Sequence, residues 1–219
     1  MSDNAFVHVH DLRVVFRRDG QTINAVNGVS FDVQKGEVMA LIGESGSGKS
    51  VTLRALMRLH PPGSSELSGT LQVGDDEVLT MSTSQLRRYR GGRCAMIFQE
   101  PLLAFDPVYT VGQQIIEGLR RHEGLSRQAA RDRALEALRQ VRIPSPERRL
   151  DAYPHEMSGG MRQRAMIALA LSCNPQLLLA DEPTTALDAT VQIQILILLR
   201  EQQKQRGLSI VFVTHDIGA

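Results

Sequence analysis

Residues 43–50, GESGSGKS, have the composition and the spacing of a loop that binds phosphate groups. They follow a short apolar run at 38–42 and precede residues with helical spacing, so the loop lies between a predicted strand and a predicted helix. Glycines let backbone N–H groups converge on phosphate oxygens, and the first turn of a helix adds positive potential. We therefore predict that Lys49 contacts the β- and γ-phosphates of a nucleotide and that the Ser50 hydroxyl binds Mg²⁺.

Two acidic residues follow four apolar ones in the segment LLLADEP at 177–183. In doubly wound sheets, ligand sites lie beyond the carboxyl ends of the strands. In a chain with a phosphate-binding loop, this position predicts that Asp181 contributes to the Mg²⁺ shell and that Glu182 polarises the attacking water. A solvated acidic turn is the alternative interpretation.

Three further side chains are candidates for the same site because of their positions relative to predicted strands. Gln99 ends the apolar run CAMIF, and its amide can reach Mg²⁺ or the attacking water. His215 follows IVFVT, where a neutral imidazole can hydrogen-bond the γ-phosphate. Phe16 offers a ring on which adenine can stack. The alternatives are a turn glutamine, a structural histidine at a strand end and a core phenylalanine.

A second segment with the character of an anion site, SGGM, begins at Ser158. This serine and two glycines, Gly159 and Gly160, precede a predicted helix whose first N–H groups and dipole favour an anion. One nucleotide already fills the loop at 43–50, so the second site is expected to serve a phosphate that is held elsewhere. The alternative is an ordinary helix cap.

The elements that must position these residues alternate between strands and turns over the first hundred residues. Alternating and β-branched residues predict antiparallel strands in FVHVHDLRVVF and NAVNGVSFDV, with a turn at 19–20. The apolar runs at 38–42 and 94–98 predict buried strands. A leucine pattern over 53–59 predicts a helix that ends at the prolines 61–62.

From about residue 110 to 172 the pattern becomes helical, with Ser126 as the predicted N-cap of the second of three helices. Strands return at 177–180 and 209–214, with a helix between them. This order predicts a single α/β domain with an N-terminal antiparallel β subdomain. A P-loop core with a mostly parallel sheet takes up about 1–100 and 166–219. A helical subdomain is inserted at about 101–165.

Composition restricts the possible functions of this 219-residue chain. Hydrophobic residues make up 42%, aromatic residues only 4%, and the formal charge is +1, so the core is aliphatic and no nucleic-acid partner is expected. Cys94 and Cys173 lack metal-ligand spacing and are expected to be free thiols. We find no secretory signal and no apolar run long enough for a bilayer, so a soluble protein is expected, with any membrane role arising through a partner.

In this order, GESGSGKS, Gln99, MSGGM, LLLADE, ALD at 186–188 and His215 resemble the ATP-binding-cassette (ABC) ATPases. The resemblance covers nearly the whole chain. It is greatest to the ATPase subunits of bacterial peptide importers, of the oligopeptide, dipeptide, glutathione and nickel type. The segments that carry this finer likeness are QEPLLAFDPVYTVGQQI, YPHEMSGGMRQR and ADEPTTALDATVQIQIL.

The resemblance implies a set of ligand contacts for ATP and Mg²⁺. The residues implied to contact the nucleotide within one chain are Phe16, Gly43, Ser45, Gly46, Ser47, Gly48, Lys49, Ser50, Val51, Gln99 and Asp181. Those implied to bind Mg²⁺ are Ser50, Gln99 and Asp181, and the implied catalytic residues are Glu182, His215 and Gln99.

The resemblance also implies that two copies pack head to tail. Ser158, Gly159 and Gly160 of one chain would close over the ATP on the loop of the other, which gives two shared sites. Asp188 would lie at the seam between them. ATP binding would close the dimer, and hydrolysis of the γ-phosphate would open it.

The chain departs from the general family at a few positions. Met157 and Met161 stand where the family has Leu and Gln, and Phe16 stands where Tyr or Trp is frequent. The sequence stops four residues after His215, whereas family members usually continue, which implies that the C-terminal part of the usual domain is missing.

The implied function is that of an ATP-hydrolysing subunit that powers peptide import from the cytoplasmic face of the bacterial inner membrane. Its implied partners are a second ATPase subunit, identical or paralogous, transmembrane permease subunits received near 99–110, and indirectly a periplasmic solute-binding protein. A non-transport ABC ATPase of the DNA-repair or translation type is the alternative, although no coiled-coil insertion or basic linker is visible. A P-loop kinase or a simple binding module is disfavoured by SGG followed by DEP.

Overall fold

The computed structural model describes residues 5–18, 20–184 and 187–214, apart from the side chain of Leu103. The predicted site residue His215 and the predicted turn residue Asp19 lie outside the described residues. Within the described ranges the chain forms two four-stranded sheets, one antiparallel and one parallel, together with helices. The predicted α/β class with an N-terminal antiparallel part is thereby confirmed.

The antiparallel sheet has the strand order β2–β1–β4–β5. Its strands are β1 (Val7–Arg18), β2 (Gln21–Val33), β4 (Ser65–Val73) and the short β5 (Asp76–Glu77). Gly20 has φ 76, the left-handed conformation that a tight turn between β1 and β2 requires. The alternating apolar residues of β1 place Val7, Val9 and Val14 in the core.

The parallel sheet has the strand order β3–β8–β7–β6. Its strands are β3 (Val38–Ile42), β6 (Cys94–Ile97), β7 (Leu177–Asp181) and β8 (Ser209–Thr214). The register pairs Ile42 with Thr214, Asp181 with Val213 and Ile97 with Ala180. All four strands therefore end along one edge of the sheet, where the candidate site residues follow them in the chain.

Eight α-helices surround the strands of the described chain. Their bounds are α1 (Lys49–Leu56), α2 (Thr83–Gly92), α3 (Pro101–Ala104), α4 (Val111–Glu123), α5 (Arg127–Gln140), α6 (Pro146–Leu150), α7 (Gly159–Leu171) and α8 (Ala189–Arg206). Side-chain caps start several of them, and Ser126 accepts a hydrogen bond from the Ala129 amide across 3.2 Å, as predicted. Within the described ranges, none of the helices combines the length and the apolar composition that a membrane-spanning helix needs.

The parallel sheet separates two hydrophobic clusters. Leu179 and Val211 point towards α1 and the antiparallel sheet, whereas Leu178 and Ile210 point towards the cluster built largely from α4, α5 and α7. Because both faces of β7 are covered, its sequence LLLA is apolar without alternation. Full burial of each such leucine contributes about 1.5–3 kcal/mol to stability, and this fixes the strand ends that carry the candidate site.

The structure corrects two details of the sequence-based prediction. The run at 38–42 was expected to be buried, but β3 lies at the edge of the parallel sheet and exposes about half of Val38 and of Ile42. The helix expected to reach 61–62 ends at Leu56 instead. Arg58 adopts φ 48 just after it, and its guanidinium donates to the carbonyl oxygens of Val78 and Met81, so the chain turns away.

Candidate nucleotide site

The loop at 43–48 joins β3 to α1 and holds the Lys49 ammonium group over its own backbone. Lys49 Nζ donates to the carbonyl oxygens of Gly43 and Glu44 across 2.7 and 2.6 Å, and lies 3.4 Å from the Ser47 hydroxyl. The Lys49 ammonium group thus lies against the loop backbone, where it could bind a phosphate group. Ser45 and Gly46 are exposed at the tip of the loop.

Gly48 is the residue on which the loop conformation depends most. It precedes α1 with φ 89, and a Cβ there would lie 2.5 Å from the Ala25 carbonyl oxygen. Only glycine fits both the left-handed conformation and this approach of β2. Because α1 starts at the next residue, its first backbone N–H groups and its dipole face the loop, which suits phosphate oxygens.

Ser50 and Asp181 form a hydrogen-bonded pair beside the loop. Ser50 Oγ donates to Asp181 Oδ1 across 2.7 Å, and Arg54 Nη2 lies 3.9 Å from Asp181 Oδ2. Asp181 is buried, with 1% of its surface exposed. A hydroxyl and a carboxylate oxygen are ligands that Mg²⁺ accepts, and this ion commonly uses one or two protein groups together with substrate phosphates and water.

Glu182 and Gln99 meet at the same edge of the sheet. Gln99 Nε2 donates to Glu182 Oε2 across 3.1 Å, and both side chains follow buried strands. The Glu182 backbone has φ 45, and its N–H donates to the Val213 carbonyl across 3.1 Å. The turned backbone explains how adjacent residues, Asp181 and Glu182, present their side chains at one site although strand neighbours point to opposite faces.

Phe16 lies on β1, half-buried, with its ring edge-to-face against His60 at a centroid distance of 5.3 Å. His60 Nε2 donates to the Val51 carbonyl across 2.9 Å, which fixes the proton on that nitrogen because a carbonyl can only accept. Burial lowers the pKa of His60 below its usual value; the bond to Val51 opposes this shift and the charge of Arg54 adds to it. The Phe16 ring is therefore linked to the helix that follows the loop.

The second candidate anion site stands at the start of α7. Ser158 is the N-cap, and its Oγ accepts a hydrogen bond from the Met161 amide across 3.3 Å. Gly159 is exposed, and a Cβ at Gly160 would lie 3.1 Å from Val191 Cγ1 on α8. Asp188 caps α8 by accepting from the Val191 amide across 3.0 Å. Ser158 thus forms the helix cap that was the alternative interpretation, and the start of α7 is exposed as well.

The structure gathers most, but not all, of the candidate residues within one chain. Lys49 and the Ser50–Asp181 pair stand beside the loop, and the Gln99–Glu182 pair follows at the same sheet edge. Among the hydrogen bonds of the described residues, none joins Ser158–Gly160 to the loop at 43–50. A second chain is the expected source of that contact.

Sequence analysis missed the contacts of Arg54 and His60. It also missed two glutamines that contact the residues after Glu182, the buried Gln163 and the half-buried Gln192. No sequence motif predicts these contacts, because each depends on how separate elements of the chain pack against one another. In the described part of the chain, no group of three or more histidine, cysteine and acidic side chains could hold a metal ion.

Comparison with known proteins gives a consistent result. The family model described as "ABC transporter" matches residues 26–185. A putative peptide import ATP-binding protein of Brucella abortus (strain 2308) is 50% identical over 212 residues, which cover 97% of this chain and 64% of the relative. The oligopeptide transport ATP-binding protein OppD of Bacillus subtilis (strain 168) is 49% identical over 214 residues, which cover 97% and 60%.

A solved structure shows the same architecture. The dimeric structure of a post-hydrolysis state of the ATP-binding cassette MJ0796, bound to ADP and Pi, superposes with a TM-score of 0.84 at 30% identity. The superposition covers 96% of this chain and 88% of that one. The present chain thus spans nearly all of a known cassette, but less than two thirds of the length of the two peptide-transport relatives.

Proposed function

The chain belongs to the ABC transporter family, and from this premise we propose that it is an ATPase subunit that powers the import of peptides. The reaction is the hydrolysis of ATP to ADP and phosphate. The observation that carries the proposal is the convergence of Lys49, the Ser50–Asp181 pair and the Gln99–Glu182 pair at one sheet edge. These are the groups that phosphoryl transfer to water requires: charge stabilisation, a metal position and an orienting carboxylate.

Each residue of the site has a distinct task in this reaction. Lys49 and the N–H groups of the loop bind the phosphates and stabilise negative charge as it develops. Ser50 and Asp181 would hold Mg²⁺, which would supply positive charge that offsets part of the charge of the phosphates. Glu182 orients the attacking water and accepts its proton, and the Gln99 amide holds the Glu182 carboxylate in place.

Two copies of the cassette, or one copy and a paralogue, share each nucleotide in this proposal. The exposed start of α7 supports it, because Ser158 and Gly159 can approach a phosphate from outside the chain. The related cassette MJ0796 is described as dimeric with ADP and Pi bound. Asp188, at the start of α8, would stand at the seam, and His215 would contact the γ-phosphate.

The proposed transport role rests on the names of the relatives and on an exposed apolar surface. Leu102, Val108 and Tyr109 are between 51% and 69% exposed in the segment that follows Gln99. Isolated exposed apolar residues are ordinary, but three of them next to a catalytic segment suit a partner surface. We assign this segment to the transmembrane permease subunits, which would place the chain at the cytoplasmic face of the membrane.

The peptide class of the cargo comes only from the relatives, two of which are named for peptide or oligopeptide transport. A solute-binding protein would deliver the cargo to the permease and would not contact this chain. The residues of the candidate site contact nucleotide and water, so they carry no selectivity for cargo.

Glu182→Gln tests the assignment of the catalytic carboxylate. The amide keeps the size of the side chain but cannot accept the proton, so we expect turnover to fall by ~10²–10⁴-fold, the usual contribution of a general base. ATP affinity, measured by fluorescence titration, should stay within about threefold of the parent, because phosphate binding lies with Lys49 and the loop. Hydrolysis at the parent rate would reject Glu182 as the base.

A further inference from the structure

Two glutamine side chains from different helices donate hydrogen bonds to consecutive carbonyl groups just after Glu182. Nε2 of Gln163, on α7, donates to the carbonyl oxygen of Pro183. Nε2 of Gln192, on α8, donates to the carbonyl oxygen of Thr184 across 3.1 Å. The turn that follows the candidate catalytic residue is therefore held from two sides.

Gln163 is buried, with 2% of its surface exposed, among the apolar residues on the inner face of α7. A buried primary amide is costly unless its hydrogen bonds are made, so its direction is strongly restricted. Its partner, Pro183, lies directly after Glu182 in the chain. The position of the helix and the position of the turn are thereby tied together.

The backbone of Glu182 needs such support. Its φ of 45 lies in the left-handed region, which is sterically unfavourable for a residue with a Cβ. A conformation of this kind persists only when surrounding contacts determine it. The Glu182 N–H is held by the Val213 carbonyl on one side, and the next two residues are held by Gln163 and Gln192 on the other.

The helix that carries Gln163 also carries the second anion site. Ser158 caps α7, and Gln163 lies five residues further along the same helix. A rigid-body shift of α7 that brings Ser158 and Gly159 onto a phosphate therefore moves the Gln163 amide as well. The same shift pulls or releases the carbonyl of Pro183, next to Glu182.

We propose that Gln163 and Gln192 are positioning residues that set the Glu182 carboxylate. Gln163 links this carboxylate to the helix start that contacts the nucleotide of the partner chain. The inference rests on the proposed function and extends it. When α7 of one chain contacts the partner's nucleotide, the Glu182 carboxylate of that same chain is held in position for hydrolysis. The buried Gln163 amide thereby couples the two sites.

The test compares Gln163→Met in the parent and in a Glu182→Gln background. Methionine has a similar volume but cannot donate, so the carbonyl of Pro183 loses its partner. In the parent we expect kcat to fall by roughly 10–100-fold with the KM for ATP unchanged, because a small misplacement of a catalytic group costs about this much. In the Glu182→Gln background, Gln163→Met should not lower the single-turnover rate further, because the carboxylate that Gln163 positions is already absent.

Gln203→Met is the matched control. Gln203 lies on α8, as Gln192 does, and its Nε2 donates to a backbone carbonyl, that of Gly36, across 2.6 Å. Its loss should lower the melting temperature while leaving kcat unchanged. A kcat loss in Gln203→Met equal to that in Gln163→Met would overturn the proposal, as would equal Gln163→Met losses in the two backgrounds.

Gln192→Met, at a half-buried position, carries the same expectation and provides the test if Gln163→Met does not fold. The Glu182→Gln variant distinguishes a failure of the positioning role from a failure of the proposed function. If it lowers turnover while Gln163→Met and Gln192→Met do not, the proposed function stands and the positioning role is rejected. If Glu182→Gln has no effect, the proposed catalytic role fails first and the inference fails with it.

Discussion

The hydroxyl of Ser50 donates to Oδ1 of Asp181 across 2.7 Å, although the two residues are 131 positions apart in the chain. Ser50 stands in the first turn of α1, and Asp181 is the last residue of β7. Their contact brings the glycine-rich loop at 43–48 and the acidic strand end to one point. Everything proposed about Mg²⁺ in this protein depends on that point.

Asp181→Asn should weaken the use of Mg²⁺. The amide keeps the shape of the side chain and can still face Ser50, but it removes the negative charge that favours the ion. We expect the Mg²⁺ concentration for half-maximal ATPase activity to rise by at least about tenfold, in line with other changes around bound metals. Asp151→Asn, which only loses a surface ion pair with Arg131, is the control and should leave that midpoint unchanged. An equal midpoint in the parent and in Asp181→Asn would remove Asp181 from the metal site.

Gly48→Ala should destroy the loop, and Gly124→Ala should not. Both residues have left-handed backbones, with φ 89 and φ 67, so both variants should lose about 1–2 kcal/mol of stability through strain. Only at Gly48 does the new methyl also meet a carbonyl, that of Ala25, at 2.5 Å. Urea unfolding should therefore show the larger loss for Gly48→Ala, and calorimetry should show ATP affinity reduced about tenfold or more there alone. Similar ATP affinities in the two variants would contradict the proposed loop.

Gly159→Ala should impair the sharing of a nucleotide between two chains without impairing the folding of either chain. A Cβ at Gly159 lies 3.9 Å from Leu187 Cδ2, which is ordinary contact, so the single chain should fold as well as the parent. In the dimer, the methyl would stand where the partner's phosphate approaches. We expect the ATPase activity of Gly159→Ala to fall at least about tenfold. The specific activity of the parent should rise steeply with protein concentration, and this rise should be lost in the variant.

Gly118→Ala is the control for this glycine effect. Gly118 lies within α4 with open space around it, so alanine should raise stability by ~0.5–1 kcal/mol and leave the ATPase rate unchanged. Parent activity that is linear in enzyme concentration, in dilute and strictly monomeric protein, would reject the shared site.

His60 should make the folded chain less stable in mild acid. Burial lowers the pKa of His60 in the folded state, so the unfolded chain binds more protons as pH falls below the usual value of 6.5. Unfolding then becomes easier from about pH 6.5 downwards. The decline in unfolding free energy between about pH 7.5 and about pH 5.5 should be smaller in His60→Gln than in the parent.

His122 adds a second contribution with the same sign. Burial and the charge of Arg121 lower its pKa, so His122→Gln should also flatten the pH dependence, and the double variant should be flattest. Identical declines in the parent and in His60→Gln, measured by urea titration, would assign the acid sensitivity to other groups.

Most elements of this fold could be predicted from the sequence because their causes are local. Alternation within β1 and the cap at Ser126 both act between near neighbours in the chain. The error at β3 has the opposite origin. An apolar run predicts burial, but whether Val38 is covered depends on a strand pairing far away in sequence.

By itself, the sequence determined the glycine-rich loop, since GESGSGKS specifies a strand–loop–helix turn through its own glycines, and it determined which carboxylates end a buried strand. Only the tertiary structure decided that Ser50 meets Asp181, that Gln99 faces Glu182, and that Gln163 and Gln192 hold the turn beyond. The reason is physical. A hydrogen bond between side chains on separate elements is set by the register of the parallel strands and by the packing of helices upon them, and no local pattern encodes either.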